Sequence, residues 1–385
     1  MVTGVICYSL KHVYQKESIA MKLERPAPGT GKTKKATTAF GKIDVDLPDF
    51  DKPISIKENF YRALKHQDPC WVPFTPFDMQ ERHMTHLADK GPEGYFLGPD
   101  LSWKCDRFTY LDPFGNSWTF DPNAGGACMT YGTRICDDIL KWEEQVKFPD
   151  FHEWNLEERA ERYMKEEYDP ERVMHIDIYH GPYQALADVL GSFSDALEAM
   201  FVEPEATRAF FDRFTDWMIW LMEKLSSLYP VDLFTIHDDW GTEKDAFFSP
   251  AMMEDLLFEP TKKMIDYVHS KGKLYQFHCC GRVDKFMDAF CELGPDLMQL
   301  QRRVNDLPKY KELYGDKLGF SAGLEGYIPR KPYTHDELVK LVRDSADIFA
   351  PNGGWVPGIY GLSPAQMWEV YSELYCYSSE MYANK

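Results

Sequence analysis

His278, Cys279 and Cys280 stand together in the stretch KLYQFHCCGRVDKF, where an apolar-leaning run gives way to an amphipathic one. Alternate residues of a strand share a face, so a strand running to this point turns His278 and Cys280 one way and Cys279 the other. An imidazole and a thiol paired in this manner form a soft bidentate set suited to zinc. Adjacent buried thiols without a metal are the competing reading. Neighbouring cysteines cannot close a typical local disulfide, and the chain contains no C-x-x-C, which argues against a redox role.

Two further clusters carry chemistry. In DLFTIHDDWG, His237 and Asp239 share a strand face, with Trp240 following. They could orient a substrate or act as acid and base, or serve only as loop and helix-terminal polar groups. In VMHIDIYHG, Asp177 and Tyr179 share a face while His180 lies at the turn, with the same two readings open. Aromatic residues near these positions are mostly core by base rate, yet Trp240, Tyr179 and Tyr360 could also line a pocket for a planar ligand.

The elements that would position these groups read as strand–helix units. From Ile54 the pattern becomes regular, and residues 55–66 (SIKENFYRALKH) carry a capping-box signature and helical spacing. Residues 71–78 (WVPFTPFD) form a short apolar run ending at Asp78, expected to be a strand. Residues 106–133 alternate and turn like antiparallel hairpins. Strand-like runs at 173–180, 232–241, 273–281, 296–301, 317–326 and 353–361 then alternate with helical stretches. Such a succession implies a parallel sheet with helical crossovers. The runs end in Asp78, His180, Asp239, Cys280, Gln301, Glu325 and Tyr360. In a closed (β/α)8 TIM barrel those ends converge on one mouth. No glycine-rich dinucleotide turn supports a doubly wound sheet.

The expected organisation is a basic, flexible arm over residues 1–48 and a barrel over 49–385, with inserted β-hairpins. Within the arm, PAPGTGKT imitates a phosphate loop, but Pro26 occupies its first glycine position and no apolar strand precedes it. The 385 residues carry a net charge of −19, which disfavours nucleic acid and anionic membranes as partners. No run of about 18 apolar residues predicts a membrane span. The N-terminal stretch makes a poor signal peptide, and nine scattered cysteines look like reduced thiols. A cytoplasmic protein is expected.

The stretches KENFYRALKHQDPCWVPF, DDWGTEKDAFFSPAMMEDLLFEPTKKMIDYVHSKGK and FHCCGRVDKFMDAFCELGPDLMQLQ resemble the uroporphyrinogen decarboxylase-like superfamily. They are more similar to its corrinoid-dependent methyltransferases, which include methylcobamide:coenzyme M methyltransferases and aryl-ether O-demethylase components. The resemblance runs from about Ile54 to the C-terminus and implies a (β/α)8 barrel. It also implies that His278 and Cys280, in H-x-C-G, are two zinc ligands. The family's third ligand is a Cys in a P-G-C segment, and here Ile359 stands in its place. An oxygen from Asp239 or Glu325 could substitute, with Gln301 and Tyr360 poorer choices. True decarboxylases carry an R-Q-A-G-R segment that holds substrate carboxylates; the corresponding FTPFDMQERH has only Arg82.

The resemblance therefore implies a methyl group moved between a small methoxylated, aromatic substrate and a cobalamin carried by a partner protein, because the chain has no D-x-H-x-x-G cobalamin motif. Asp239, His237 and Glu325 would be catalytic, while Asp78, Asp177, Tyr179, His180, Trp240 and Tyr360 would line the substrate site. Methylcobalamin:thiol transfer, a decarboxylase-type lyase and a silent binding protein are the alternatives, and a homodimer is among the assemblies left open.

Overall fold

The computed structural model describes residues 22–37, 44–83, 107–112, 114–121, 126–150, 156–178, 180–322, 324, 333–358 and 362–384. Tyr179, Glu325, Ile359 and Tyr360 lie outside the described residues. In chain order, a hairpin of β1 (Thr33–Thr37) and β2 (Asp44–Pro48) precedes α1 (Ile56–Leu64), the short α2 (Thr75–Asp78) and β3 (Met79–His83). A small sheet of β4 (Phe108–Leu111), β5 (Ser117–Asp121) and β6 (Gly126–Met129) leads to α3 (Trp142–Gln145) and α4 (Leu156–Glu166). Then come β7 (Val173–Ile178), α5 (Pro182–Leu190), α6 (Phe193–Val202), α7 (Pro204–Leu228) and β8 (Leu233–His237). After α8 (Pro250–Leu256) and α9 (Phe258–Ser270) the chain forms β9 (Leu274–Cys279), α10 (Met287–Leu293) and β10 (Leu297–Leu300). It ends with α11 (Leu307–Tyr314), β11 (Gly319–Phe320), α12 (His335–Phe349) and α13 (Pro364–Ala383).

The six strands β11-β10-β9-β8-β7-β3 pair in parallel in that order. Phe320 bridges Trp355 beyond β11, and Thr75 N donates to Pro357 O at 3.0 Å, carrying the wall round toward β3. This is the TIM barrel expected from the alternation of strands and helices, with the antiparallel β4-β5-β6 sheet inserted where hairpins were expected. Helix starts follow local chemistry. Ser249 caps α8 with Pro250 at its first position, and Thr334 and Ser363 open α12 and α13 with complete capping boxes.

Each barrel strand sends alternate side chains to opposite sides. On the outer side Phe234, Ile236, Tyr275 and Phe277 join the main core beneath the helices. On the inner side, at the strand starts, Met79, Val173, Leu233, Leu274, Leu297 and Val356 form a separate apolar plug with Phe60 and Leu64 of α1. Above it the inside becomes polar: His175 Nε2 lies 2.6 Å from Thr235 Oγ1, to which Gln276 Nε2 donates at 2.8 Å. Barrel interiors are usually filled by branched apolar side chains, so the change marks where packing ends and a site begins.

Two expectations are corrected. The run 71–78 is not a strand: α2 occupies its second half, with Pro76 near the helix start, and the strand is β3. Asp78 therefore sits before the strand, at the barrel end opposite the mouth. It is fully buried, its Oδ2 accepting from Phe74 N at 2.8 Å, and burial pushes its carboxyl above the ordinary range. It belongs to the barrel floor and not to a substrate site.

The stretch 22–48 is no free arm where it is described. Leu23 N donates to Glu380 Oε1 at 2.7 Å, and Trp368 Nε1 donates to Pro26 O at 2.9 Å. Arg25 bridges Glu373 at 3.1 Å and Glu380 at 2.5 Å, both on α13. Val45 and Leu47 of β2 are buried in the main core. Glu373 is only 6% exposed and shares its charge between Arg25 and Arg343. Replacing Arg25→Ala removes a charged partner from that carboxylate and should cost about 1.5–3 kcal/mol. Denaturant unfolding of the single variant checks this; an unchanged midpoint would mean that the segment is not anchored here.

Candidate functional site

At the mouth, strand alternation brings three ligand-type side chains together. Asp239, His278 and Cys280 offer an oxygen, a nitrogen and a sulfur that lie within 4.8 Å of one another. His278 Nε2 is 3.4 Å from Cys280 Sγ and 3.9 Å from Asp239 Oδ1. Ligands bonded to zinc at about 2.0–2.3 Å in a tetrahedron stand roughly 3.3–3.8 Å apart, so the set has about the right span. The other imidazole nitrogen, Nδ1, faces Gln299 Oε1 at 2.5 Å. An amide oxygen accepts, so Nδ1 donates and the Nε2 lone pair is directed at the site, the tautomer that a metal requires.

The electrostatics agree. Burial, and then the neighbouring His237, lower the His278 pKa to about 4, so the ring is neutral at pH 7. Burial and the Asp239 carboxylate push the Cys280 thiol well up, so without a nearby cation it keeps its proton. A divalent cation reverses that balance and takes up the thiolate. These residues fit a zinc ion, and of the two oxygen donors considered for the third position Asp239 is the one among the described residues that stands with His278 and Cys280.

Cys279 behaves as the alternation demands. It is fully buried on the outer side, and its Sγ accepts from Trp240 N at 3.1 Å. The turns that follow β8 and β9 are held against each other through glycine. Gly281 has φ +84°, and a Cβ there would meet the Gly241 backbone at 2.1 Å. Cys280 N donates to Asp239 Oδ1 at 2.6 Å across the same junction, and Gly281 N donates to Gln301 Oε1 at 3.0 Å.

His237 stacks on His278 with ring centroids 3.9 Å apart, and its Nε2 lies 2.7 Å from Asp177 Oδ1. Asp177, His237, Asp239, His278 and Cys280 are thus gathered into one site. His180 stands beside them, since Gly181 N donates to His237 O at 2.5 Å. Trp240 does not join them. It is fully buried between Phe248, Phe277, Phe286 and Phe290 on the outer side of the sheet, because position 240 has the opposite parity to 237 and 239. Its expected role in lining a substrate site is replaced by one in the core.

Asp238, Gln299, Asp188 and Asp112 stand around these residues without a role assigned from the sequence. Asp238, between the two inward residues, points outward; it accepts from Gln184 N at 2.8 Å and Trp240 Nε1 at 2.8 Å, capping the start of α5. Burial lifts its carboxyl to about 7 against those donors. Gln299 could have been found, since Gln299 and Gln301 share the inward parity of β10. Asp188 and Asp112 lie near His180, the three offering atoms within 4.8 Å of one another. Asp112 is already engaged, accepting from Asn116 N, Asn116 Nδ2 and Trp118 Nε1, so it reads as a turn-forming carboxylate. Burial disfavours a charged His180 ring, but Asp188, Asp112 and Asp238 together raise its pKa above the ordinary value.

The fold is a TIM barrel whose strand ends gather nitrogen, oxygen and sulfur donors. Residues 121–321, more than half of the chain, match the uroporphyrinogen decarboxylase (URO-D) family, and the chain belongs to that family. Among solved structures, a methyltransferase from Methanosarcina mazei aligns with a TM-score of 0.59 at 15% identity, covering 83% of this chain and 98% of that one. At that identity the likeness is one of fold. A B12-independent methionine synthase from Shewanella sp. W3-18-1 aligns at a TM-score of 0.39 and 12% identity, covering 72% and 74% of the two chains, too slight a likeness to carry an argument. Comparison with the curated proteins finds no match. No helix among the described residues is long and apolar enough to cross a membrane.

The donor set makes a sharp distinction between adjacent thiols. Cys280→Ser should lose bound zinc, whereas Cys279→Ser should keep it at full stoichiometry. Removing the orienting amide with Gln299→Leu should weaken zinc about 10–100-fold. Elemental analysis and chelator competition on the purified variants measure this. Equal loss in both cysteine variants, or a zinc-free parent after growth in zinc, sinks the assignment.

Proposed function

We propose that the chain is a methyltransferase that takes a methyl group from a small methoxylated aromatic compound and delivers it to a reduced corrinoid carried by a separate protein. The observation that carries the reading is the Asp239–His278–Cys280 donor set at the barrel mouth. Asp239, His278 and Cys280 would hold a zinc ion, which when bound supplies a Lewis acid for the ether oxygen. Gln299 fixes the His278 tautomer, and Asp177 orients the His237 ring that stacks on it. The rings of His237 and of Trp118, the latter 5.3 Å from the His180 ring, offer flat walls for an aromatic substrate.

Two features favour ether cleavage over the rivals. An Asp239 oxygen in place of a second thiolate leaves a harder, more electron-poor metal site. That suits polarising an oxygen better than raising the nucleophilicity of a bound thiol. Porphyrinogen decarboxylation needs cations for several substrate carboxylates. Arg82, the one arginine of the relevant segment, lies over the Tyr163 ring of α4 at 4.6 Å, on the outer side of the barrel.

The assay mixes zinc-loaded protein, reduced cobalamin or a cobalamin-binding protein, and a panel of methoxylated aromatics, and follows methylcobalamin by absorbance. At least one donor should give zinc-dependent transfer, with Cys280→Ser slowed about 100-fold or more, the size of a lost electrostatic contact to the reacting oxygen. Carbon dioxide release from uroporphyrinogen without methyl transfer would overturn the reading. Transfer only from methylcobalamin to thiols would favour the thiol-methylating alternative.

A further inference from the structure

His180 follows directly on β7, and its setting is not explained by the donor set. Its backbone is left-handed at φ +82°, where a residue other than glycine is uncommon and strain is retained chiefly at functional positions. Its Nδ1 lies 2.5 Å from Asp188 Oδ2, and Asp188 is 3% exposed. The other Asp188 oxygen accepts from Gln184 Nε2 at 2.9 Å, one turn earlier on α5, so the carboxylate is held from both sides. Trp118 leans on the ring, and the Gly181 backbone contact with His237 carries His180 to the same mouth as the donor set. The charged groups acting on the ring are carboxyls from three separate elements: Asp188 on α5, Asp112 in the β4–β5 turn and Asp238 after β8.

An imidazole whose Nδ1 is turned to a buried carboxylate has Nε2 on its opposite edge, available to move a proton. We propose that His180 is the general acid of the mouth, giving its Nε2 proton to the oxygen that loses the methyl group, with Asp188 as the positioning residue. The inference rests on the methyl-transfer reading. In the step, the O–CH3 bond breaks and its electron pair remains on oxygen. The oxygen takes the His180 proton and leaves as a hydroxyl group. The methyl carbon bonds to the cobalt(I) of the corrinoid, which supplies the electron pair. His180 then recovers a proton from water.

The test uses His180→Asn, because asparagine tolerates the left-handed backbone, together with Asp188→Asn. One arm needs no substrate. Histidine 15N NMR of the parent should show His180, assigned by its loss in His180→Asn, protonated on both nitrogens at pH 7, and Asp188→Asn should lower its midpoint by at least tenfold in proton concentration. The second arm compares 2-methoxyphenol, whose leaving phenolate has a pKa of about 10, with 4-nitroanisole, whose phenolate is far less basic. His180→Asn should slow transfer from the first by about 100-fold or more and from the second by less than about 10-fold. A neutral His180 at pH 7, or equal slowing of both donors, overturns the proposal. Absence of transfer from every donor with a charged His180 overturns the methyl-transfer reading, and the donor role with it.

Discussion

The site depends on one close approach of backbone to backbone. The turn after β9 lies so near the turn after β8 that a Cβ on Gly281 would meet Gly241 at 2.1 Å, and one on Gly241 would meet Arg282 O at 2.5 Å. Two glycines facing each other let the turns touch, and Arg282 N donating to Thr242 O at 2.8 Å closes the contact. Asp239 comes from one turn and Cys280 from the other. Their convergence on His278 is therefore a property of the two glycines as much as of the ligands. A side chain at either position would force the two turns apart, and Asp239 and Cys280 with them.

Beneath that junction the barrel is graded from dry to polar. The apolar plug from Phe60 to Val356 closes the floor, and Thr235, Gln276 and His175 form the layer above it. The imidazoles of His237 and His278 and the amide of Gln299 complete the series toward the mouth. His175, Thr235, Gln276, His278 and Gln299 are each engaged with a polar neighbour, which a buried polar layer requires if it is not to destabilise the fold. The result is orientation: Gln299 holds His278 from one edge, leaving its Nε2 toward Asp239 and Cys280, and Asp177 stands at His237 Nε2.

Much of this was legible in the sequence because the strand period is two. From His278-Cys279-Cys280 and His237-Asp238-Asp239 alone, parity separates inward ligands from outward packing, and the structure keeps that separation at each of these six positions. The same rule, applied to Trp240, would have placed it in the core. Asp78 was misread because an apolar run looked like a strand while the true strand, MQERH, is polar. A strand whose inner side faces a polar layer carries no apolar alternation to find. The docked stretch around Arg25 was hidden for another reason: its partners Glu373 and Glu380 are more than 300 residues away, and local composition says nothing of them.

The family places the fold and leaves the chemistry to the mouth. A decarboxylase of polycarboxylated porphyrinogens must gather cations there, whereas among the described residues the carboxyls of Asp112, Asp177, Asp188 and Asp239 stand near three histidines at this end of the barrel. Buried carboxyls at that density repel an anionic substrate and need protons or a cation to offset their charge. Asp239, beside His278 and Cys280, and His180, beside Asp188, are two separate points at which a cation or a proton would offset that charge. Such a mouth would suit a neutral substrate and a neutral product better than a polyanion, with charge developing only in the transition state between them.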